Sequence, residues 1–198
     1  MASLTEQNVL VFSQKAKLIE LNNEYKIQAE DGTQIGMVRQ EGQSKLKKAA
    51  RLVSNLDQFM SHTLAVYDDS ENKVLELVRP RKVFKSKVQV KDASGREVGE
   101  ITQKNVFGKI RFDLEGAGGQ PLGQIRAQNW RAWNFTIVDA SDKEVATISK
   151  KWAGLGKEMF TTADNYAVEI QPSVTGDLRL LVLASAAGID TALKQDSK

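Results

Sequence analysis

The stretch of this chain best suited to binding chemistry is the basic segment RPRKVFKSK. Near an anionic membrane each lysine or arginine contributes on the order of 1 kcal/mol of attraction, within about one Debye length of the surface. A headgroup-binding role is therefore predicted for the cations of this segment: Arg79, Arg81, Lys82, Lys85 and Lys87.

A second basic group recurs at three-residue spacing and comprises Lys45, Lys48 and Arg51. Leu46, Ala49 and their apolar neighbours take the other side, a pattern that predicts an amphipathic helix over residues 42–56. If this helix lies beside the first segment, both groups form one headgroup-sized concentration of positive charge. The alternative is a solvated strand edge, where lysines discourage pairing between sheets.

Catalytic chemistry finds little support in the residue types. The single histidine, His62, has no nucleophile or metal-ligand motif around it, and the acids cluster in turns, where carboxylates bond local backbone. The glycine-rich GAGG at 116–119 sits between strands, whereas a phosphate loop leads into a helix. We therefore expect no enzyme activity, no catalytic residues, no cofactor and no metal site.

Composition is that of an ordinary globular chain: 198 residues, 41% hydrophobic, 27% charged, with a net charge of +3. Cysteine is absent, which fits a reducing cytoplasm. No secretory signal opens the sequence. We expect one domain over residues 1–198, and a monomer, because nothing calls for an oligomer.

The middle of the chain repeats a hairpin pattern with a period of roughly 24 residues. Each first strand alternates apolar residues, as Tyr25 and Ile27 do, and ends at a turn of Asp, Gly, Ser and Asn. An apolar residue, a small residue and a further apolar residue then follow, as in Val98, Gly99 and Ile101. This spacing predicts a bulge and a close backbone approach at the small residue.

Residues 177–193 predict a helix that is apolar on every side between Leu180 and Ile189, with Ser185 as the interruption. The run is about half of the roughly 20 residues that a bilayer span requires, so the helix belongs inside the protein. Ser185 can bond a backbone carbonyl one turn earlier, and Asp177 is a suitable N-cap. Hairpins that must enclose a helix predict a closed antiparallel barrel, because closure removes the sheet edges.

Three segments carry a family resemblance. The stretch KKWAGLGKEMFTTADNY at 150–166 resembles the most characteristic segment of the phospholipid scramblase family, and NNEYKI and ELVRPRK resemble family segments in the same order. That family is similar to the LURP-one-related proteins and to the tubby C-terminal domain. The resemblance implies a β-dominated fold, a 12-stranded barrel around a hydrophobic C-terminal helix, and binding of anionic lipid or phosphoinositide at the cytoplasmic face.

The chain also departs from the family pattern. It lacks the proline-rich N-terminal region and the cysteine cluster for acylation, and this short form suggests a bacterial source. The family's calcium segment maps to residues 162–173, where the first and twelfth positions are Thr162 and Ser173 rather than acids. Asp164 and Asn165 remain as a remnant that is too poor in ligands for a functional site.

The sequence therefore predicts a peripheral lipid-binding protein at the inner face of the plasma membrane, with phospholipid scrambling as a stronger claim. The alternative is a non-enzymatic binding or scaffold module for a protein or, less favoured, a nucleic acid. Basic patches with aromatics suit phosphate backbones too.

Overall fold

The computed structural model describes residues 3–14, 24–41, 62–80, 87–104, 110–129, 134–150 and 165–193. A short 3₁₀ helix, Leu4–Glu6, precedes twelve strands, and one α-helix, α1 (Gly176–Leu193), follows them. The strands are β1 (Val9–Gln14), β2 (Glu24–Gln28), β3 (Gln34–Glu41), β4 (His62–Asp68), β5 (Lys73–Arg79), β6 (Lys87–Asp92), β7 (Glu97–Gln103), β8 (Arg111–Gly116), β9 (Pro121–Asn129), β10 (Asn134–Asp139), β11 (Glu144–Ser149) and β12 (Asn165–Ile170).

The sheet is a closed antiparallel barrel in which every strand pairs with its neighbours in sequence, and β1 closes the ring against β12. Closure runs from Val9 opposite Glu169 to Ser13 opposite Asn165. The predicted 12-stranded barrel is confirmed. The predicted helix at 42–56 lies outside the described residues.

The turns of five hairpins have the same backbone hydrogen-bond pattern. In the β6–β7 turn, the Asp92 amide donates to the Arg96 carbonyl at 3.0 Å and the Gly95 amide donates back to the Asp92 carbonyl. The fourth turn residue takes a positive φ, 83° at Gly95, which suits glycine. Asp92 Oδ1 also accepts from the amides of Ser94 and Arg96, and Asp68 and Asp139 repeat this pattern in their own turns.

A bulge follows each of these turns, at the position that the sequence pattern predicted. One residue of the second strand has no partner in the register: Ile35, Val74, Val98, Leu122 and Val145 in the five hairpins. The next residue is glycine in three hairpins. A Cβ on Gly36, Gly99 or Gly123 would collide with the backbone carbonyl of Tyr67, Glu115 or Val138, each in the next hairpin. The small residue therefore lets adjacent hairpins approach.

Helix α1 lies inside the barrel, and residues 181–187 are all buried. As predicted, Ser185 Oγ donates to the Leu181 carbonyl, at 2.6 Å, so its hydroxyl needs no water. Tyr166 Oη donates to the Ala186 carbonyl at 2.8 Å, and the Tyr166 ring stacks on Phe12 with centroids 5.2 Å apart. One tyrosine therefore joins the closing strand pair to the helix.

The start of α1 is fixed by two arginines. Arg179 donates to the carbonyls of Gln7 at 2.6 Å and Val174 at 3.2 Å, and also to that of Thr5. Burial lowers the pKa of Arg179. Arg96 joins Asp177 at 2.9 Å. The helix begins one residue earlier than predicted, so Asp177 lies in its first turn rather than at the N-cap.

We expect Gly123→Ala to destabilise the barrel by about 1–3 kcal/mol, because a rigid carbonyl occupies the space that the new methyl group needs. Urea unfolding followed by circular dichroism measures the loss. The control is Ala146→Gly at the equivalent position of the next hairpin, where a Cβ already fits, with an expected cost of about 0.5–1 kcal/mol. Equal stability of Gly123→Ala and the parent chain would contradict the close-approach explanation.

Candidate functional site

The barrel has two unlike ends. The five hairpin turns and the start of α1 lie at one end, here called the turn end. The turns are residues 29–33, 68–72, 92–96, 116–120 and 139–143, and α1 starts at Gly176. The other six connections between strands lie at the opposite end, here called the connection end. Successive strands of an antiparallel barrel alternate in direction, so the connections alternate between the two ends. Helix α1 runs from the turn end toward the connection end.

Most of the predicted basic residues lie outside the described residues: Lys45, Lys48, Arg51, Arg81, Lys82 and Lys85. Their attachment points are nevertheless fixed. The first three belong to the connection from β3 to β4, and the last three to the connection from β5 to β6. These four strands are consecutive in the barrel wall and span about 14 Å at normal strand spacing. Both basic segments therefore start and finish on one side of the connection end.

Arg79 and Lys87 are described, and they lie on opposite faces of the wall. Arg79 follows Leu75 and Leu77 on the inward face of β5 and is only 7% exposed. Lys87 alternates with the inward Val88 and Val90 on β6, so it faces outward, where its Nζ lies 2.5 Å from a carboxylate oxygen of Glu100. The structure does not bring these two cations together. Arg79 lines the barrel interior, and the exposed cluster depends on the other cations.

The charge of the two ends is opposite, a feature that single motifs did not reveal. The six connections at the connection end carry fifteen lysines and arginines against four acids, Glu20, Asp57, Glu158 and Asp164. The hairpin turns carry two cations, Arg96 and Lys143, against eight acids: Glu30, Asp31, Asp68, Asp69, Glu71, Asp92, Asp139 and Asp142. A chain of net charge +3 is therefore strongly polarised along the barrel axis.

Two of the turn carboxylates, those of Asp68 and Asp92, accept local hydrogen bonds that lower their pKa. Hydrogen bonds from the Asn72 side chain and the Asn72 amide lower the pKa of Asp68. The Ser94 hydroxyl, followed by the Arg96 side chain, lowers the pKa of Asp92 against a smaller opposing effect of burial. Both groups accept these hydrogen bonds as carboxylates, which favours their charged form.

A polar cluster anchors the end of β3, where the first basic connection begins. Glu41 accepts hydrogen bonds from the Tyr67 hydroxyl and from Lys73 Nζ, the latter at 2.8 Å, and Lys73 also reaches Glu76 at 3.0 Å. Burial raises the pKa of Glu41, but these bonds outweigh it and the net shift is downward. The hydrogen bond to Glu41 raises the pKa of Tyr67. These partners are 26 and 32 residues away from Glu41, and no sequence motif signals them.

One of the two residues of the calcium remnant, Asn165, lies in the barrel wall. Asn165 is buried as the first residue of β12 and pairs with Ser13, whereas Asp164 lies outside the described residues. Within the described ranges, no three His, Cys, Asp or Glu side chains gather as a metal site would require. His62 opens β4 opposite Arg79. Of the helices that the structure describes, none combines the length and hydropathy needed to span a bilayer.

These features define a class of protein: a closed twelve-stranded barrel filled by its own C-terminal helix, with a basic and an acidic end. A crystal structure of an Arabidopsis thaliana protein has the same fold, with a TM-score of 0.56 and 14% identity over 92% of this chain and 90% of that one. The scramblase family profile matches residues 1–193. The chain belongs to the scramblase family.

Curated relatives agree with this assignment. A phospholipid scramblase family protein of Schizosaccharomyces pombe is 26% identical over 84% of this chain and 47% of its own length. Human phospholipid scramblase family member 5 is 26% identical over 65% of this chain and 51% of its own. Altered inheritance rate of mitochondria protein 25 of Saccharomyces cerevisiae is 31% identical over 48% and 36%, respectively. The chain spans about half, or less, of the length of each relative.

The turn carboxylates should make the barrel sensitive to acid. An unfolded aspartate titrates near pH 3.9, and the folded-state pKa values of Asp68 and Asp92 are lower. The folded state then binds fewer protons than the unfolded state, so this stabilisation is complete above the unfolded pKa and is lost as pH falls through the folded pKa. We expect the double variant Asp68→Asn, Asp92→Asn to lose less unfolding free energy between neutral and acid pH than the parent chain.

Urea titrations across the acid range measure this difference. Asp69→Asn is the control, because the Asp69 side chain bonds the Ser70 hydroxyl rather than a turn amide. The explanation is wrong if the double variant and the parent chain show the same pH dependence.

Proposed function

We propose that this chain is a peripheral, non-enzymatic phospholipid-binding protein with a scramblase-type function, and that it engages anionic headgroups, phosphoinositides included, through the connection end of its barrel. Family membership supports the choice of phospholipid. The inner face of the plasma membrane, whose leaflet is anionic, is the proposed location.

One observation carries the proposal: the six connections opposite the hairpin turns, with fifteen cations against four acids, belong to the same end of the barrel. Among the described residues, α1 fills the interior, and its residues 181–187 are buried. We therefore place the proposed ligand outside the lumen. The end with excess positive charge is the surface that an anionic leaflet would attract.

Reversing three charges provides the test. We expect Arg81→Glu, Lys82→Glu and Lys85→Glu together to weaken binding to anionic liposomes by about a hundredfold or more, since each cation contributes on the order of 1 kcal/mol. Flotation of purified protein with phosphatidylcholine vesicles, with and without phosphatidylserine or a phosphoinositide, measures the bound fraction at physiological salt. Binding should require the anionic lipid and should not require calcium.

A matched control separates position from net charge. Lys26→Glu, Lys91→Glu and Lys143→Glu remove the same charge from the barrel wall and the turn end, and this variant should retain most of its binding. Equal loss in both triple variants would show that only net charge matters. Displacement by a nucleic acid but not by soluble phosphoinositide would favour the alternative, a nucleic-acid module, and unaltered flotation of the Arg81 triple variant would refute the proposed surface.

A further inference from the structure

The acidic turn end is the second electrostatic feature of the molecule, and lipid binding at the opposite end leaves it unexplained. Its carboxylates project from hairpin turns around the barrel rim, and Glu30, Asp69 and Asp139 take part in none of the ion pairs between described residues. Their charge is therefore not cancelled locally. An anionic leaflet would repel this rim.

Distance decides when this repulsion acts. Most strands have six or seven residues, and at about 3.3 Å per residue and a tilt of about 35–45° they separate the two ends by about 15–18 Å. The Debye length at physiological salt is about 8 Å, so the rim lies roughly two Debye lengths from a membrane that touches the connection end. If the barrel lies on its side or inverts, several carboxylates enter the layer in which the leaflet potential is strong.

We propose, on the basis of the proposed lipid-binding function, that the barrel docks upright on an anionic bilayer and that the acidic turn end enforces this orientation by repulsion. The connection end then faces the lipid. The start of α1 and the clasp that Arg179 forms with residues 5–8 face away from it. The acidic end acts on orientation more than on affinity, because in the upright pose salt largely screens its charges from the leaflet, roughly two Debye lengths away.

Site-specific fluorescence can test the orientation directly, because the chain contains no cysteine and a single introduced one labels uniquely. Thr102→Cys places a fluorophore one residue before the end of β7, at the connection end, and Ser141→Cys places one in the β10–β11 turn. The vesicles contain phosphatidylcholine, phosphatidylserine and a lipid with a headgroup quencher. We expect quenching at Thr102→Cys to exceed quenching at Ser141→Cys by about threefold or more, because the turn end lies about 15–18 Å farther from the headgroup quencher.

The acidic rim is tested by isosteric amides: Glu30→Gln, Asp69→Asn and Asp139→Asn in the Ser141→Cys background. Asparagine retains the acceptor oxygen with which Asp139 bonds the amides of Ser141 and Lys143, so the turn is preserved. Quenching at position 141 should at least double, with a bound fraction no lower than that of the parent. Glu76→Gln, Glu100→Gln and Asp113→Asn change the net charge equally at the waist of the barrel and should leave the quenching low.

The outcomes separate the two proposals. If neither labelled protein binds anionic vesicles, the proposed function fails and the orientation falls with it. If both bind but the two labels are quenched equally, lipid binding survives and the upright orientation is wrong. If the amide variant keeps the low quenching of its parent, the orientation stands but the acidic rim does not cause it.

Discussion

A helix without a polar face governs this structure. Between Leu181 and Ala187 every side chain of α1 is buried, so the helix needs apolar contact around its whole circumference. A closed sheet provides that contact and satisfies its own backbone at the same time, because no strand edge remains unpaired. Two polar groups of this buried stretch have partners: the Ser185 hydroxyl donates to the Leu181 carbonyl, and the Ala186 carbonyl accepts from the Tyr166 hydroxyl.

Closing the ring places a second demand on the chain, namely that neighbouring hairpins pack closely while each keeps its bulge. The bulge turns one extra residue out of register, and the residue after it faces a carbonyl of the next hairpin. Glycine leaves room for this carbonyl at positions 36, 99 and 123. At position 146, beside the last strand, there is room for the methyl group of alanine. The repeated turn carboxylates have the equivalent role at the turns, where Asp68, Asp92 and Asp139 each accept two backbone amides. The sequence pattern repeats because each hairpin has the same local requirements.

Local requirements were predictable from the sequence, and long-range ones were not. Alternation predicted the strands, the small residue predicted the bulge, and the apolar run with Ser185 predicted the buried helix and even its hydroxyl bond. In contrast, Arg179 donates hydrogen bonds to residues more than 170 positions away, and Glu41 accepts hydrogen bonds from Tyr67 and Lys73 of the next hairpin. Arg79 and Lys87 belong to one basic segment, yet they lie on opposite faces of the wall, because side chains alternate between the two faces along each strand. The opposite charges of the two ends follow from topology, because turns and connections alternate along the chain.

This polarity has one structural cause, which explains only part of it. A helix dipole favours acids at its start and cations at its end, and Asp177 in the first turn of α1 fits that rule. The dipole, however, acts only within the terminal turns of a helix, so it cannot account for the carboxylates on hairpin turns around the rim. Nor do the turns require such acids at every position, since the GAGGQ turn at 116–120 forms the same backbone bonds without a carboxylate. The excess acid at one end, like the excess base at the other, fits the upright docking on an anionic leaflet that we propose.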